Sequence, residues 1–516
     1  MFYENVSELW ELSVRRNPGK TALIFGEDRY TYAEADRRIN RIATGLRARG
    51  VNPGDHVAFL FPNCPEIVLI YYAIQKLGAV AIPLNFRMVP REIGFLLSVS
   101  ESETFIFSSD FADKVSEICG WTGRLVCDGA DSRFPMTLAE LEASGTETPP
   151  EPFRDPGAVS RIQFTGGSTG IPKGVMRTHA EDIAEIIAEM LYSGLASVPD
   201  AVVLIQCPLE HHGGHSWFTA TLSAGGTLVI CAQFNPEKIL TYIERERVTY
   251  TLMLPPTTYL RLCEHPNVSE FDTSSVRMVQ SAAGATTPEI VARIREVFPN
   301  ADIYYGWGQT ESGLGTSIVL TRELEGHPER IGSIGRPMPF VEMKIVDDAW
   351  NELPDGSVGE AAVRSPACMK GYYAQDALTG ELMGPGGWML TGDLMRRDRN
   401  GYFYMLARKK NMIKSGGENV FSDEVEKVAK TLPSVLECVV IGVPDERLGE
   451  AVMAIVQLRP GKSLTLPELQ EHCKNYISSY KKPLYLEFVD SFDMNDAGKI
   501  RRDELRRRFA GESDKA

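Results

Sequence analysis

Two kinds of pattern alternate over most of the chain. Short β-rich apolar runs lie at residues 56–61, 202–207, 227–231, 250–254 and 276–280. Between them come longer stretches whose apolar residues recur at helical spacing, at 32–49, 181–192, 236–247 and 288–298. In the last of these, Ile290, Ile294 and Val297 share one face. Short apolar runs with β-branched residues predict strands buried on both sides, and the longer periodic stretches predict amphipathic helices. Their alternation predicts an α/β fold, with mixed, mostly parallel sheets covered by helices. The segment 145–156 (GTETPPEPFRDP) is rich in proline and acids and reads as a surface connector.

The pattern changes near residue 408. A strand-like run at 401–406 (GYFYML) leads into the short basic stretch Ala407-Arg-Lys-Lys-Asn411. A helix at 423–432, strands at 437–442 and 452–459, a helix at 467–476 and a strand at 485–489 follow. The expected organisation is a large N-terminal domain (1–407) and a small, mobile C-terminal α+β domain (408–516). The charge divides the same way. Residues 408–516 carry 19 Lys and Arg against 18 Asp and Glu, a net of +1, whereas the whole chain carries 54 against 69, so the large domain carries a net of −16.

Composition narrows the function classes. A single core stops growing near ~250–300 residues, so 516 residues require at least two domains. Hydrophobic and charged fractions of 43% and 24% are those of an ordinary soluble protein. A pI near 5.2 excludes a general nucleic-acid binder but leaves room for a local phosphate site. The most apolar stretch, 67–84, is interrupted by Gln75, Lys76 and Pro83, so no membrane span is expected. The N-terminus has an early acid and no apolar core, so no secretory signal is expected. Nine cysteines (64, 119, 127, 207, 231, 263, 368, 438 and 473) are scattered without a C-x-x-C pair. That usage reads as reduced thiols of a cytoplasmic protein.

The strongest chemical signal is an apolar strand at 159–164 running into Thr165-Gly-Gly-Ser-Thr-Gly-Ile-Pro-Lys-Gly174. Glycines let backbone N–H groups approach an anion, Ser168 and Thr169 add donors, and Lys173 adds a mobile charge. The combination points to phosphate binding. It is not a Walker A loop, because no G-x-x-x-x-G-K-[ST] passes through it. Downstream, Thr178 and Glu181 have the spacing of a capping box for the next helix.

This loop resembles the signature of the adenylate-forming (AMP-binding) superfamily, and further motifs follow in the superfamily's order along nearly the whole chain. They are Trp307-Gly-Gln-Thr-Glu311, Gly387-Trp-Met-Leu-Thr-Gly-Asp393, Lys414-Ser-Gly-Gly-Glu-Asn-Val420 and Asn495-Asp-Ala-Gly-Lys499. The resemblance implies an ATP-dependent carboxylic acid–CoA ligase with ATP, Mg²⁺ and CoA as cofactors. Such an enzyme makes an acyl-adenylate and pyrophosphate, and a thiol then displaces AMP.

The same resemblance assigns roles. Thr165, Gly166, Gly167, Ser168, Thr169, Gly170 and Lys173 would hold the phosphates. Trp307 would stack on adenine, flanked by Gly308, Gln309, Ala283 and Gly284. Thr310 would touch the α-phosphate, and Glu311 would bind Mg²⁺. Asp393 and Arg408 would hold the ribose, and Lys410 would be the hinge. Ser415, Gly416 and Gly417 would line a CoA tunnel, and Lys499 would stabilise the adenylation transition state. Three departures stand out. Trp307 replaces the commoner Tyr, Ala407 stands where Asp usually precedes the Arg, and Asn411 stands where Asp is common.

His211 matches the superfamily's gating histidine, and His212 and His215 crowd the same loop. His212 and His215 read equally as acyl-pocket residues, with His211, Ser281 and Ala282, or as ordinary loop residues, and a histidine-lined pocket would favour a polar or anionic acid. A zinc site here is disfavoured, because two glycines loosen the loop. No Asp lies between residues 208 and 217, which disfavours an amino-acid substrate. The expected partner is a small carboxylic acid, with no nucleic acid and with a homodimer left open. The alternative is a stand-alone (aryl-)acid adenylating enzyme that loads a carrier-protein phosphopantetheine thiol.

Overall fold

The computed structural model describes residues 3–118, 120–165, 172–198, 200–282, 284, 286–415, 418–494 and 500–510. It divides into two compact units, Met1–Met343 with Val363–Met389, and Lys344–Ala362 with Leu390–Ala516. The change of pattern at 408 therefore falls inside the second unit, because the strands just before it pair within that unit.

Two large sheets build the first unit. One is ordered Arg336–Pro337, Gly313–Val319, Asp302–Gln309, Met278–Ala282, Tyr250–Leu252, Val202–Ile205, Thr227–Ile230, Thr21–Phe25 and Asp28–Thr31. It is parallel from Asp302–Gln309 to Thr21–Phe25 and antiparallel at both ends. The other is ordered Gly371–Tyr372, Lys173–Thr178, Val159–Thr165, Val80–Leu84, His56–Leu60, Thr104–Phe107 and Arg124–Cys127. Its last five strands are parallel, and the first two pair antiparallel. The α/β class expected from the alternation is thus the class that forms.

Both faces of the second sheet are buried, as continuous apolar strands require. Val57 and Phe59 enter one core and Ala58 and Leu60 the other, following the two-residue period of a strand. The first of these cores also takes Val203 and Ile205 from the other sheet, with helices Tyr32–Ala48, Pro65–Leu77 and His212–Ser223 filling it. Pro65–Leu77 is buried along its whole length. That explains the apolar stretch at 67–84: it is a core helix followed by a core strand. No described helix is long and apolar enough to cross a membrane.

Helix ends follow local chemistry. Thr178 and Glu181 form the expected capping box, and the helix they open is His179–Ser193, closed by Gly194 at φ +71°. The connector at 145–156 is mostly exposed but anchored. The Phe153 ring fills the space a Cβ on Gly78 would need, so glycine at 78 is obligatory.

The second unit carries a sheet ordered Glu342–Val346, Val358–Arg364, Met389–Arg397 and Phe403–Arg408. Its other sheet is ordered Glu418–Phe421, Met412–Ser415, Gly449–Leu458 and Val435–Asp445, with Tyr485–Phe488 added parallel to Gly449–Leu458. Alternate residues of Val435–Asp445 serve two cores. Cys438 and Val440 pack with helices Ser422–Ala429 and Leu466–Lys474, while Val439 and Ile441 pack with Leu505 of Arg502–Ala510. The eight described cysteines are all free, and seven are buried.

Candidate active site

Several of the expected site residues that the structure describes in the first unit lie at or just beyond strand ends, for a topological reason. In open α/β sheets the ligand crevice lies beyond the carboxyl ends of the parallel strands. Val202–Ile205 runs on to His211, Met278–Ala282 ends at Ser281 and Ala282, and Asp302–Gln309 ends at Trp307, Gly308 and Gln309. Ser281 is in register with Tyr305, and Ala282 with Gly306. The Tyr305 hydroxyl donates to the Gly284 carbonyl at 2.5 Å and ties down the loop after the strand. Trp307 is buried, and its indole occupies the space a Cβ on Gly315 would take.

The glycine-rich loop closes a hairpin of Val159–Thr165 and Lys173–Thr178, with Thr165 opposite Lys173. Gly166, Gly167, Ser168, Thr169 and Gly170 lie outside the described residues, as do Ala283, Gly416, Gly417 and Lys499. Lys173 at the hairpin base places its ammonium over the Tyr372 ring, 5.1 Å from the centroid. The Tyr372 hydroxyl donates to Glu311 Oε1 at 2.8 Å. Glu311 sits in the turn after Asp302–Gln309, and its carbonyl accepts from the Met369 N–H at 2.7 Å. A hard carboxylate beside a lysine and a glycine-rich hairpin has the donor chemistry a divalent cation shares with phosphates.

The three clustered histidines occupy three different environments. His211 precedes helix His212–Ser223, and its Nε2 accepts from Asn85 Nδ2 at 3.1 Å. His212 lies between Arg161 and Glu185, with Nδ1 3.1 Å from Arg161 Nη2 and Nε2 2.9 Å from Glu185 Oε1. A guanidinium only donates, so Nδ1 accepts and the proton of the neutral ring sits on Nε2, on the side of Glu185. Burial lowers the pKa of this imidazole and the neighbouring guanidiniums add to that, against the pull of Glu185. His215 packs edge-on against Tyr71 at 4.6 Å and against Phe218 at 5.1 Å. Burial lowers its pKa strongly, and neither ring nitrogen has a hydrogen-bond partner among the described residues.

Beneath the site runs a buried ionic network that reading the sequence missed. Arg161 and Arg177 stand opposite each other across the hairpin, and both are fully buried. Asp182 answers them, 3.0 Å from Arg161 Nη2 and 3.1 Å from Arg177 Nε. Glu185, one turn further along the helix, takes Arg177 Nη2 at 2.6 Å. Burial alone would raise both carboxyls. The two guanidiniums instead hold Asp182 far below the carboxylate range, and His212 and Arg177 hold Glu185 low. Arg177 also donates to the Ala367 carbonyl at 2.5 Å and reaches the Thr310 carbonyl at 3.5 Å, so the network underpins the Thr310–Glu311 turn. Arg161 inside a strand that was expected to be buried was the available signal.

Two acids stand apart from that network. Glu189 is raised by burial and by the charge of Glu185, and it accepts from Ser216 Oγ at 2.9 Å. Glu210, just before His211, is pushed up to about 8 by burial. Neither of its carboxyl oxygens has a hydrogen-bond partner among the described residues.

In the second unit Asp393 is fully buried and in register with Arg408, whose Nε lies 2.8 Å from Oδ1. Lys409 reaches Asp348 at 2.8 Å and Glu360 at 2.9 Å. Lys410 occupies the short turn Lys409–Asn411, and its carbonyl accepts from Arg506 at 3.3 Å. Ser415 is buried at the end of Met412–Ser415. Among the described residues no group of three or more His, Cys, Asp or Glu could hold a metal ion.

The model of a family described as AMP-binding enzyme matches residues 10–373, and that of its C-terminal domain matches residues 424–499. The chain belongs to the AMP-binding enzyme family. It is 36% identical over 496 residues to the feruloyl-CoA synthase of Amycolatopsis sp., covering 96% of this chain and 97% of that one. It is 30% identical to the indoleacetate–CoA ligase of Aromatoleum aromaticum, covering 96% of each. Among solved structures of the family, the amide bond synthetase McbA of Marinactinospora thermotolerans superposes with a TM-score of 0.87 at 28% identity, covering 98% of this chain and 100% of that one.

Proposed function

We infer that this AMP-binding family member is an ATP-dependent carboxylic acid–CoA ligase, and we propose that its substrate is an aryl or arylalkyl acid. A substrate carboxylate oxygen attacks the α-phosphorus of ATP, and the bond to pyrophosphate breaks. The thiol sulfur of CoA then attacks the acyl carbonyl of the adenylate, and AMP leaves with the former carboxylate oxygen. The observation that carries the reading is the meeting of Lys173, Tyr372 and Glu311 at the carboxyl end of the sheet. There a phosphate-directed cation and a metal-directed acid stand side by side without pairing to each other.

Lys173 and the hairpin loop would bind the triphosphate, and Glu311 would hold Mg²⁺, which supplies charge neutralisation on the phosphates when bound. Asp393 would accept from the ribose hydroxyls, with Arg408 beside it. Lys499 would neutralise charge in the adenylation transition state, and Ser415, Gly416 and Gly417 would admit the pantetheine arm. Lys410 would be the pivot between half-reactions.

The substrate class has two supports. Among the relatives are a feruloyl-CoA synthase, 4-coumarate–CoA ligases and an indoleacetate–CoA ligase, beside a medium-chain acyl-CoA ligase. In this chain Ser281 and Ala282 keep the end of strand Met278–Ala282 small. The cytoplasmic setting is supported by the absence of any disulfide among the eight described cysteines.

A screen of aryl, arylalkyl, aliphatic and polar acids with ATP and CoA, following AMP release, tests the reading. Aryl or arylalkyl acids should give the highest kcat/KM. A profile led by short aliphatic acids would overturn the substrate class. Adenylation that saturates with acid and ATP but not with CoA would favour a carrier-protein thiol instead.

A further inference from the structure

We propose that Tyr372 is a positioning residue of the nucleotide site: its ring face carries the Lys173 ammonium and its hydroxyl holds the Glu311 carboxylate, which keeps the two opposite charges apart and ready for a metal–triphosphate. The proposal rests on the reading of Lys173 and Glu311 given above.

Three observations carry it. Tyr372 is buried, at 2% exposure, with Lys173 over its face and Glu311 at its hydroxyl. Lys173 and Glu311 form no ion pair with each other. The phenol engages Oε1 alone, and Oε2 makes no hydrogen bond to a described residue. A direct lysine–carboxylate pair would have to break before either group could meet its ligand. A tyrosine between them stabilises the cation through its π face and the anion through its O–H, and neither contact competes with an incoming phosphate or metal at the remaining positions. Binding then loses less to reorganisation.

The chain fixes this ring from several sides. Gly371 and Tyr372 pair antiparallel with Met176 and Val175 of the hairpin, so the register that sets Lys173 also sets Tyr372. The Tyr373 N–H donates to the Gly174 carbonyl at 2.8 Å, and the Tyr372 N–H donates to Thr379 Oγ1 at 2.9 Å. Gly371 has φ +152°, and a Cβ there would lie 2.9 Å from Thr379 Cγ2, so only glycine allows the approach. With Met369 donating to the Glu311 carbonyl, one short segment grips both the hairpin and the Glu311 turn.

The test measures Mn²⁺ binding by electron paramagnetic resonance to the full chain with α,β-methylene-ATP, and analogue binding without metal. It uses wild type, Tyr372→Phe, Tyr372→Leu and Glu311→Gln, with Tm recorded for each. A lost charge-assisted hydrogen bond predicts that Tyr372→Phe weakens Mn²⁺ binding roughly 10- to 100-fold while metal-free analogue binding stays near wild type. Tyr372→Leu should weaken both. If Glu311→Gln weakens Mn²⁺ binding and Tyr372→Phe does not, the positioning role fails and the site reading stands. If Glu311→Gln leaves Mn²⁺ binding unchanged, the reading of Glu311 fails and the proposal falls with it. A Tyr372→Phe variant that only loses Tm marks a purely structural ring and overturns the proposal. Should Tyr372→Phe not fold, fluorotyrosine at 372 replaces it. A stronger phenol donor that shifts Mn²⁺ affinity supports the role, and unchanged affinity overturns it.

Discussion

Glu210 is the residue at which burial has its plainest cost. Its ordinary value is 4.5, and burial without a partner pushes it to about 8. In the folded chain it is therefore protonated at neutral pH. Between 4.5 and about 8 the folded state binds a proton that the unfolded state has released, so this group's contribution to stability falls as pH rises through that window. Glu210→Gln should abolish the effect. Its Tm relative to wild type should rise from pH 5 to pH 8, by an amount equivalent to roughly a few kcal/mol at most. An equal Tm difference at both pH values would refute the assignment. Asp393 offers the opposite case, a fully buried carboxylate held by a cation. Asp393→Ala should raise the KM for ATP about 10- to 100-fold with a smaller effect on kcat, read from initial rates.

At the scale of elements, the hairpin and the helix after it act as one unit through Asp182. Asp182→Asn would leave Arg161 and Arg177 facing each other without their shared carboxylate. A loss of about 3–5 kcal/mol in urea unfolding is expected, and a loss below about 1 kcal/mol would contradict the network. This is also where the sequence was least readable. The strand that leads into the glycine-rich loop was legible because its signal is local. The capping box at Thr178 was legible for the same reason. Arg161 and Arg177 acquire meaning only when the hairpin sets them opposite one another. Tyr372 and Glu311 are 61 residues apart, and no short-range pattern announces their contact. Among the histidines, spacing left an acyl pocket and an ordinary loop equally open. His212 lies against Arg161 and Glu185, and His215, one turn on along the same helix face, packs against Tyr71 and Phe218.

For the whole molecule, the proposed two-step chemistry makes a sharp demand on the turn at Lys409–Asn411. Proline at 410 should restrict the backbone where the proposed rotation occurs. Lys410→Pro is expected to keep acid-dependent pyrophosphate exchange within about threefold of wild type and to slow thioester formation at least ~10-fold. Lys410→Ala should leave both steps near wild type. Equal loss of both steps in Lys410→Pro would place the pivot elsewhere. Single-turnover transfer from preformed acyl-adenylate separates the two.

The eight described cysteines have a consequence for selectivity between nucleophiles. Seven are enclosed, and burial raises every one of their thiol pKa values. Thiolate, and not thiol, attacks activated acyl groups and disulfides. An enzyme that makes a reactive mixed anhydride and waits for a diffusing thiol is at risk of acylating itself. Here the described side-chain sulfurs stay protonated and screened, so the acyl group is left for the incoming CoA. The same shielding should keep these eight thiols out of mixed disulfides with oxidised CoA.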